Sequence, residues 1–313
     1  MLTVKSLTKV ISRYVSTLLI IPAILLTLIV CFDIYLSSKN MSVASISKQN
    51  SNLSASVLNL VHELQKERGL TAGFVGSKGA QFKQQLQQQR NKTDTELNKV
   101  TQQLNESDYV NQVAQAGTAV VNELRLLSSM RNTIDSLSTQ LPDAIGYYSN
   151  VNKLGLAVVK ASINSSENHL IAEELNAIYN LSSAKEYAGI ERAVLNTVII
   201  NNAFTTATLL KHSLLTEKQT LYIEESLSIA PKKLQPILQQ FVQTADNKNV
   251  IQTRAELITQ RENFDISASE WFAMATKRID AIKVAEQQAF EEVLSTVENI
   301  RDSALTIVII EIF

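Results

Sequence analysis

The feature that most constrains this chain is an uninterrupted apolar stretch near its beginning, from Tyr14 to Leu36. A helix of roughly 20 apolar residues crosses the hydrocarbon core of a bilayer, and Pro22 within it is tolerated in a membrane helix. Lys5, Lys9 and Arg13 precede the stretch, and positive charge favours the cytoplasmic side. The sequence therefore predicts a transmembrane helix. A cleaved signal peptide is the alternative, although its apolar region is shorter and needs a small-residue cleavage site.

A second apolar run begins in the last ten residues. We expect it to be the start of a second transmembrane helix that stops at Phe313; an apolar tail docked on its own domain is the alternative. The expected organisation is a cytoplasmic N-terminus (1–13), a transmembrane helix (14–36), a periplasmic helical domain (37–303) and the start of a second span (304–313).

Composition favours helices between the two apolar runs. The 313 residues include only 8 Gly and 4 Pro, and we find no strand pattern or internal repeat. A net charge of −1 gives no support for nucleic-acid binding. The single Cys31 lies in the first span, and the three histidines lack metal-ligand spacing. No nucleophile elbow or cofactor fingerprint is present, so we expect no catalysis, metal or cofactor.

The fold class that we predict is all-α. Helix breaks at Gly, Pro, Asn and Asp give expected helices up to residue 79 and over 80–106, 108–139 (capped by Asp108), 142–163, 167–213 (broken near its middle), 216–229, 231–245, 248–263 and from 267 onward. Short connections imply antiparallel neighbours. About eight external helices then favour two antiparallel four-helix bundles.

Two arginines fall on apolar helix faces. One row with a step of three or four residues ends in Arg68, after Leu53, Val57, Leu60 and Leu64. A second row places Arg192 among Leu181, Ala188, Leu195 and Ile199. Arginine is almost never buried without a partner, and its planar fork of donors suits small oxyanions. A small anion is therefore the leading ligand hypothesis.

Four stretches carry a family resemblance. They are HELQKERGLTAGFVGSKG within 51–79, DAIGYYSNVN (143–152), AKEYAGIERAVLN (184–196) and SEWFAMATKRIDAIKVAEQ (269–287). Together they resemble the nitrate- and nitrite-sensing domain of bacterial transmembrane receptors, in the order that the family shows. The resemblance implies two four-helix bundles, a nitrate or nitrite ligand, and coupling to methyl-accepting, diguanylate-cyclase or kinase output regions. The downstream signalling partner is not identified by this sequence.

The resemblance also implies ligand-binding residues. The family's anion-binding arginines correspond to Arg68 in QKERG and Arg192 in GIERA, with Arg278 in TKRID as a third. Lys66 stands where the family often has another basic residue.

The adjacent acids allow a structural alternative. Glu67 could hold Arg192 while Glu191 holds Arg68, so that reciprocal ion pairs tie two helices together. Both interpretations hold at once if the glutamates orient the arginines.

Glycines recur near Arg68. We expect close helix packing at Gly69 and Gly73, and a bend or break near Gly76.

The function that we expect is an inner-membrane sensory receptor, a homodimer, whose periplasmic domain binds nitrate or nitrite. A helical sensor for another small ligand, such as an amino acid or organic acid, and a ligand-free membrane-anchored scaffold are the alternatives.

Overall fold

The computed structural model describes residues 4–107 and 109–312, and the side chains of residues 4–13, 16 and 312 lie outside the description. The side chains of Lys5, Lys9 and Arg13, and the predicted cap Asp108, therefore fall outside the described part. Over the described residues the chain forms helices and no strand, which confirms the all-α prediction. The helices are α1 (Val4–Gly76), α2 (Lys83–Glu106), α3 (Asn111–Leu124), α4 (Leu127–Asp135), α5 (Leu141–Asn164), α6 (His169–Ile200), α7 (Thr206–Ile229), α8 (Gln235–Gln243), α9 (Ala245–Gln260) and α10 (Ala268–Ile312).

The chain divides into two compact units. The central unit is Ile46–Thr296 and holds the residues discussed below as a site. The terminal unit combines residues up to Ser45 with residues from Val297 onward. In the terminal unit, the part of α1 predicted as the first span is apolar and exposed, for example at Leu18 (74 %) and Leu26 (64 %).

One helix in the described part of the chain is long and apolar enough to cross a membrane, the stretch Thr17–Gly76 within α1. Pro22 lies inside this unbroken helix, as expected for a membrane segment. The apolar residues at the end of the chain continue α10 without a break, but they do not by themselves form such a span among the described residues.

The central unit contains separate hydrophobic clusters. One draws its buried residues from α1 to α5, including Leu60, Val120 and Tyr148. Another joins α6, α9 and α10 around Leu195 and the fully buried Trp271. Burial of an apolar side chain stabilises by about 1.5–3 kcal/mol, so each cluster fixes the rotation of its helices about their axes.

Several predicted helix ends are confirmed. α1 ends at Gly76, where a break was expected, and Gly79 adopts the left-handed region at φ +82°. α5 begins with Pro142 in its first turn, as predicted. Pro236 likewise lies in the first turn of α8.

The single helix predicted over 108–139 is wrong. The structure has two helices there, α3 and α4, separated by Arg125 and Leu126. The amides of both residues donate to carbonyls three residues back, Asn122 and Glu123, at 3.2 and 3.1 Å. Such tight turns change the direction of a helix.

The break that we predicted near the middle of 167–213 is also misplaced. α6 is unbroken to Ile200, and the interruption comes at Asn201–Thr205, where Asn202 has φ +56°. Thr205 then starts α7 with a reciprocal capping box to Thr208. The break therefore lies at Asn201–Asn202 and the capping Thr205, and residues 206–229 form one helix.

Candidate functional site

Arg68 continues the buried row of α1, as its spacing predicted. Its side chain is buried, and both terminal nitrogens bond to the Glu186 carboxylate of α6. Nη1 also donates to the Ser149 hydroxyl of α5 at 2.8 Å. Arg68 thus links three helices, and its charge is balanced by one carboxylate.

Glu186 is itself fully engaged. Besides Arg68, it accepts from Gln65 Nε2 at 2.8 Å and from Asn152 Nδ2 at 3.0 Å. These contacts hold the carboxylate in place between α1, α5 and α6.

Arg192 is buried, and no carboxylate among the described residues forms an ion pair with it. Its Nη1 donates to the Thr276 hydroxyl at 2.7 Å, and its Nη2 makes a long bond to the Gln65 carbonyl at 3.4 Å. The guanidinium lies 4.4 Å from the ring centroid of Phe272, in cation–π geometry. The Nε has no hydrogen-bond acceptor among the described residues. Arg192 therefore presents donors that neutral groups fill only in part.

The backbone of Arg192 is also fixed. The buried indole of Trp271 donates from Nε1 to the Arg192 carbonyl at 3.0 Å. α10 thereby contacts both the main chain and the side chain of Arg192, through residues 271, 272 and 276.

Two glycines make room for the two arginines. A Cβ at Gly69 would lie 2.6 Å from Arg192 Nη2, and a Cβ at Gly189 would lie 2.8 Å from Arg68 Nη2. Each guanidinium thus crosses the glycine of the opposite helix, α1 or α6. The close packing predicted at Gly69 is confirmed, and its neighbour is an arginine fork.

The two arginines influence each other electrostatically. Burial, and then the charge of Arg68, lower the pKa of Arg192 to about 10, while Asp280 and Glu186 oppose the shift. A cation whose charged form is disfavoured in this way gains most from a nearby anion.

These residues belong to a larger polar layer in the central unit. Lys185 and Lys283 both pair with the fully buried Glu286, and Ser182 donates to the same carboxylate at 2.6 Å. Burial outweighs the attraction of Glu286 and lowers the pKa of Lys185 to about 8. The charged members of the polar layer are Arg68, Arg192, Lys66, Lys185 and Lys283 with Glu63, Glu186, Asp280 and Glu286. Five cations thus face four carboxylates.

Lys66 lies at the edge of the polar layer. Its Nζ is 3.7 Å from Asp280 and 4.0 Å from Glu63, and its side chain is partly exposed. These residues, with His62 and Lys283, line a polar groove of about 380 Å³ on the central unit. Burial, and then the charges of Lys185 and Lys66, lower the pKa of His62 far below its usual value, so His62 is neutral.

The reciprocal ion pairing that we considered for Glu67 and Glu191 is wrong. Glu67 accepts two bonds from Arg131, at 2.7 and 2.8 Å, and one from the Tyr148 hydroxyl at 2.8 Å. Arg90 lies 3.8 Å away. Glu67 points to a different side of α1 from Arg68 because adjacent residues in a helix are about 100° apart.

Glu191 pairs with Arg254 of α9 and accepts from Gln219 Nε2 at 3.0 Å. His212 Nδ1 lies 3.2 Å from the same carboxylate. Burial alone would raise the pKa of Glu191, but the Arg254 charge and these hydrogen bonds lower it to about 2. Both glutamates therefore form buried ion pairs, with arginines other than those expected.

Arg278 lies in the cluster of Glu191. It donates to Asn247 Oδ1 at 2.8 Å and to Gln219 Oε1 at 2.7 Å. Burial, and then the charge of Arg254, lower its pKa to about 9. Among the described contacts it shares none with Arg68 or Arg192, so the structure brings together two of the three predicted arginines.

Sequence reasoning missed the neutral and acidic partners of these arginines: Glu186, Gln65, Ser149, Thr276 and Phe272. Glu186 precedes Arg192 by six residues in the AKEYAGIERA motif, but the motif does not show which arginine it contacts. Thr276 and Phe272 lie two and six residues before Arg278 on α10, in the same family motif (269–287). The motifs therefore contained the contacting residues, but only the fold shows which of them contacts which arginine.

The arrangement can bind a small oxyanion. Two guanidinium groups lie near each other in a buried position, one of them has no ion-paired carboxylate among the described residues, and the planar forks suit planar acceptors. The surplus of positive charge in the polar layer agrees with that chemistry.

The solved structure described as that of the NasR transcription antiterminator has a TM-score of 0.75 at 18 % identity, covering 90 % of this chain and 82 % of that chain. At this identity the likeness concerns the fold. The comparison with curated proteins gave no match. The family model described as nitrate and nitrite sensing matches residues 59–294, which include the polar layer and both arginine motifs. The chain therefore belongs to the nitrate- and nitrite-sensing (NIT) family.

Proposed function

We propose that this protein is a sensory receptor of the bacterial inner membrane whose central unit binds nitrate or nitrite and signals across the bilayer. The observation that carries the proposal is the buried pair Arg68 and Arg192, in which Arg192 has no carboxylate partner among the described residues. Family membership supplies the identity of the anion.

The anion lies between the forks of Arg68 and Arg192 in this proposal. Each guanidinium donates charge-assisted hydrogen bonds worth about 1.5–3 kcal/mol. Glu186 remains the fixed partner of Arg68, while the anion takes the donors of Arg192 that only Thr276 and the Gln65 carbonyl now use. Gly69 and Gly189 leave the space that the two guanidinium groups occupy, because a Cβ at either position would clash with one of them.

Lys66 and Arg278 keep supporting roles in the proposal. Lys66 contributes positive charge from the groove, as a point charge without a planar fork. Arg278 helps to hold α6, α7, α9 and α10 together through Gln219 and Asn247.

The architecture that we propose is two antiparallel four-helix bundles between two membrane spans. α1, α2, α3 with α4, and α5 would form one bundle, in agreement with the hydrophobic cluster that they share. α6, α7, α8 with α9, and α10 would form the other, in agreement with the cluster of α6, α9 and α10. The spans are 14–36 and a second that starts at 304, residues 1–13 are cytoplasmic and residues 37–303 are periplasmic.

Exposure supports the first span. Most apolar side chains of 14–36 are solvent-exposed, and a bilayer is the environment in which such a surface is stable. α10 ends with exposed Leu305, Ile307, Ile309 and Ile310.

Signalling follows as a population shift. Arg68 lies on α1 and the partners of Arg192 lie on α10, and these are the helices that lead towards the spans. An anion that favours one packing of α1 against α10 biases the receptor by its differential affinity, typically 1–3 kcal/mol. We propose that the receptor works as a homodimer, by binding and without catalysis or a cofactor, through a downstream partner that is still to be identified.

Calorimetric titration of the full chain in detergent with nitrate, nitrite, sulfate, acetate and glutamate tests the proposal. We expect saturable binding of nitrate or nitrite, with one anion per pair of arginines. Binding of glutamate or acetate alone would replace it with an amino-acid or organic-acid sensor. Absence of binding by every compound would favour a scaffold.

A further inference from the structure

One line of side chains on α10 runs past Arg192. Phe272 stacks on its guanidinium and Thr276 accepts a hydrogen bond from it. Asp280 follows one turn later, and residues four apart lie on the same helix face. The next side chain along this line is therefore a carboxylate.

The Asp280 carboxylate lies near Lys66 and the neutral His62 without a hydrogen bond to either. Its Oδ1 lies 3.7 Å from Lys66 Nζ and 3.7 Å from His62 Nε2, both outside hydrogen-bond distance. That oxygen is buried and has no hydrogen-bond donor among the described residues, although the side chain as a whole is 48 % exposed. A buried acceptor without a donor costs free energy, so its position needs a reason.

The charges around Arg192 supply that reason. Asp280 and Glu186 are the two carboxylates whose charge favours the cationic form of Arg192. Glu186 is held by Arg68, Gln65 and Asn152. Asp280 has no such bonds to any described residue and lines the groove, so it is the carboxylate that can move.

We propose that Asp280 is the internal counter-charge of the arginine pair, which competes with the incoming anion and sets its affinity. The proposal rests on the proposed function, because it concerns the same anion site. In the ligand-free protein the charge of Asp280 partly neutralises Arg192 and Lys66. Nitrate or nitrite then has to overcome the repulsion of Asp280 before it reaches Arg192.

Release of Asp280 also gives the site a connection to α10. When an anion takes over the neutralisation of Arg192, Asp280 is repelled towards the solvent-exposed groove. Asp280 shares its helix with Phe272 and Thr276, so the change at Arg192 acts on α10 at three successive turns.

The substitution Asp280→Asn removes the charge and keeps the shape. We expect the full chain in detergent to bind nitrate roughly threefold to tenfold more tightly, since a nearby like charge is removed and solvent screens part of the effect. Asp280→Glu, which keeps the negative charge, should bind nitrate with an affinity close to that of the wild type. Asp280→Ala should also bind more tightly, which guards against an effect specific to the amide.

Glu63→Gln is the matched control. Glu63 lines the same groove and lies 4.0 Å from the same Lys66, but it accepts from Gln89 and is absent from the contacts of Arg192. The affinity of the Glu63→Gln variant for nitrate should stay within about twofold of that of the wild type. An equal gain in Glu63→Gln would overturn the assignment to Asp280 in favour of a general field of the groove.

The remaining outcomes separate this inference from the proposed function. Binding by the wild type with unchanged or weaker affinity in Asp280→Asn overturns this inference alone. Binding by Asp280→Asn without measurable binding by the wild type supports it. Absence of nitrate and nitrite binding in both proteins overturns the proposed function and this inference with it.

Discussion

The two neighbours Glu67 and Arg68 lead into buried ionic clusters that are bonded in different ways. The Glu67 cluster is closed: both carboxylate oxygens accept bonds from Arg131, and Tyr148 adds a third. The Arg68 cluster is open, because it includes the buried Arg192, whose Nε has no acceptor and whose charge has no paired carboxylate in the part of the chain that the structure describes. A single residue step along α1 therefore separates a cluster whose charges are paired within the protein from one that, in the function proposed above, an anion completes.

The difference distinguishes a structural ion pair from the binding site that we propose. Buried charges are costly unless they are paired and hydrogen-bonded. The Glu67 cluster recovers that cost within the protein and ties α1, α2, α4 and α5 together. The Arg68–Arg192 pair leaves part of it unrecovered, and that free energy is available for binding an anion.

The largest expected effect comes from opening the closed cluster. Arg131→Ala leaves the Glu67 carboxylate buried without its partner, which should destabilise the protein by about 3–5 kcal/mol. Thermal unfolding of the full chain should show a melting temperature lower by about 10 °C. Nitrate affinity of the folded protein, measured below that temperature, should change little. A tenfold loss of affinity without loss of stability would contradict the comparison, since it would place the Glu67 cluster in the binding site.

The open cluster should respond in the opposite way. Arg192→Lys and Arg68→Lys keep the charge but lose the planar fork, so nitrate binding should weaken by about tenfold, and the alanine variants by up to about a hundredfold. Arg192→Met should leave the melting temperature unchanged or raise it, because burial and the charge of Arg68 both disfavour the guanidinium. Titration calorimetry beside melting curves measures both. Unchanged nitrate affinity in a folded Arg68→Lys, Arg192→Lys double variant would remove the anion site.

Part of this contrast could be read from the sequence. The step of three or four residues placed Arg68 and Arg192 on buried helix faces because that periodicity follows directly from helix geometry. The family motif placed Arg278 with them, whereas the fold assigns it to the cluster of Glu191.

The ion partners could not be read in this way. Arg68 and Glu186 are 118 residues apart, and Glu67 and Arg131 are 64 apart. Which acid meets which arginine depends on the relative rotation of helices, and that is fixed by packing across the whole unit. The glutamate that precedes each arginine in the sequence did not indicate the ion partner, because adjacent residues of a helix point to different faces.

The fold shows the same division. The all-α class and the ends at Gly76 and Pro142 follow from propensity and punctuation. The turn at Arg125–Leu126 carries no glycine or proline, so only the tertiary packing of α3 and α4 reveals it.

Glu174, a third buried charged group, tests whether a buried oxygen without a hydrogen-bond partner is enough to indicate a ligand-binding site. Glu174 on α6 accepts from the Thr296 hydroxyl at 2.8 Å, and its other oxygen has no partner among the described residues. Burial raises the pKa of Glu174 to about 7, against the opposing effects of Thr296 and Lys233. Between the unfolded pKa and about 7 the native state binds more protons than the unfolded state, so stability falls as pH rises through this window.

Glu174→Gln should remove that part of the pH dependence. We expect the variant to be more stable than the wild type at pH 8 by about 1–2 kcal/mol and similar at pH 4. Melting temperatures at the two pH values measure the effect, and nitrate affinity at pH 8 should stay the same. A loss of affinity in Glu174→Gln would show that an unfilled buried oxygen belongs to the ligand site after all.

The smallest effect should come from Gly69, where the open cluster touches the backbone of α1. A Cβ at this position would lie 2.6 Å from Arg192 Nη2, so Gly69→Ala should displace the fork and weaken nitrate binding severalfold. The displaced group is the end of a long side chain, and alanine gains up to about 1 kcal/mol in helix propensity over glycine. The melting temperature should therefore change by only a few degrees. Gly146→Ala in α5 is the matched control, because no described atom lies within 4 Å of the added Cβ. It should gain the same propensity with unchanged affinity, and an equal loss of affinity in both variants would show that Gly69 matters for the helix and not for the fork of Arg192.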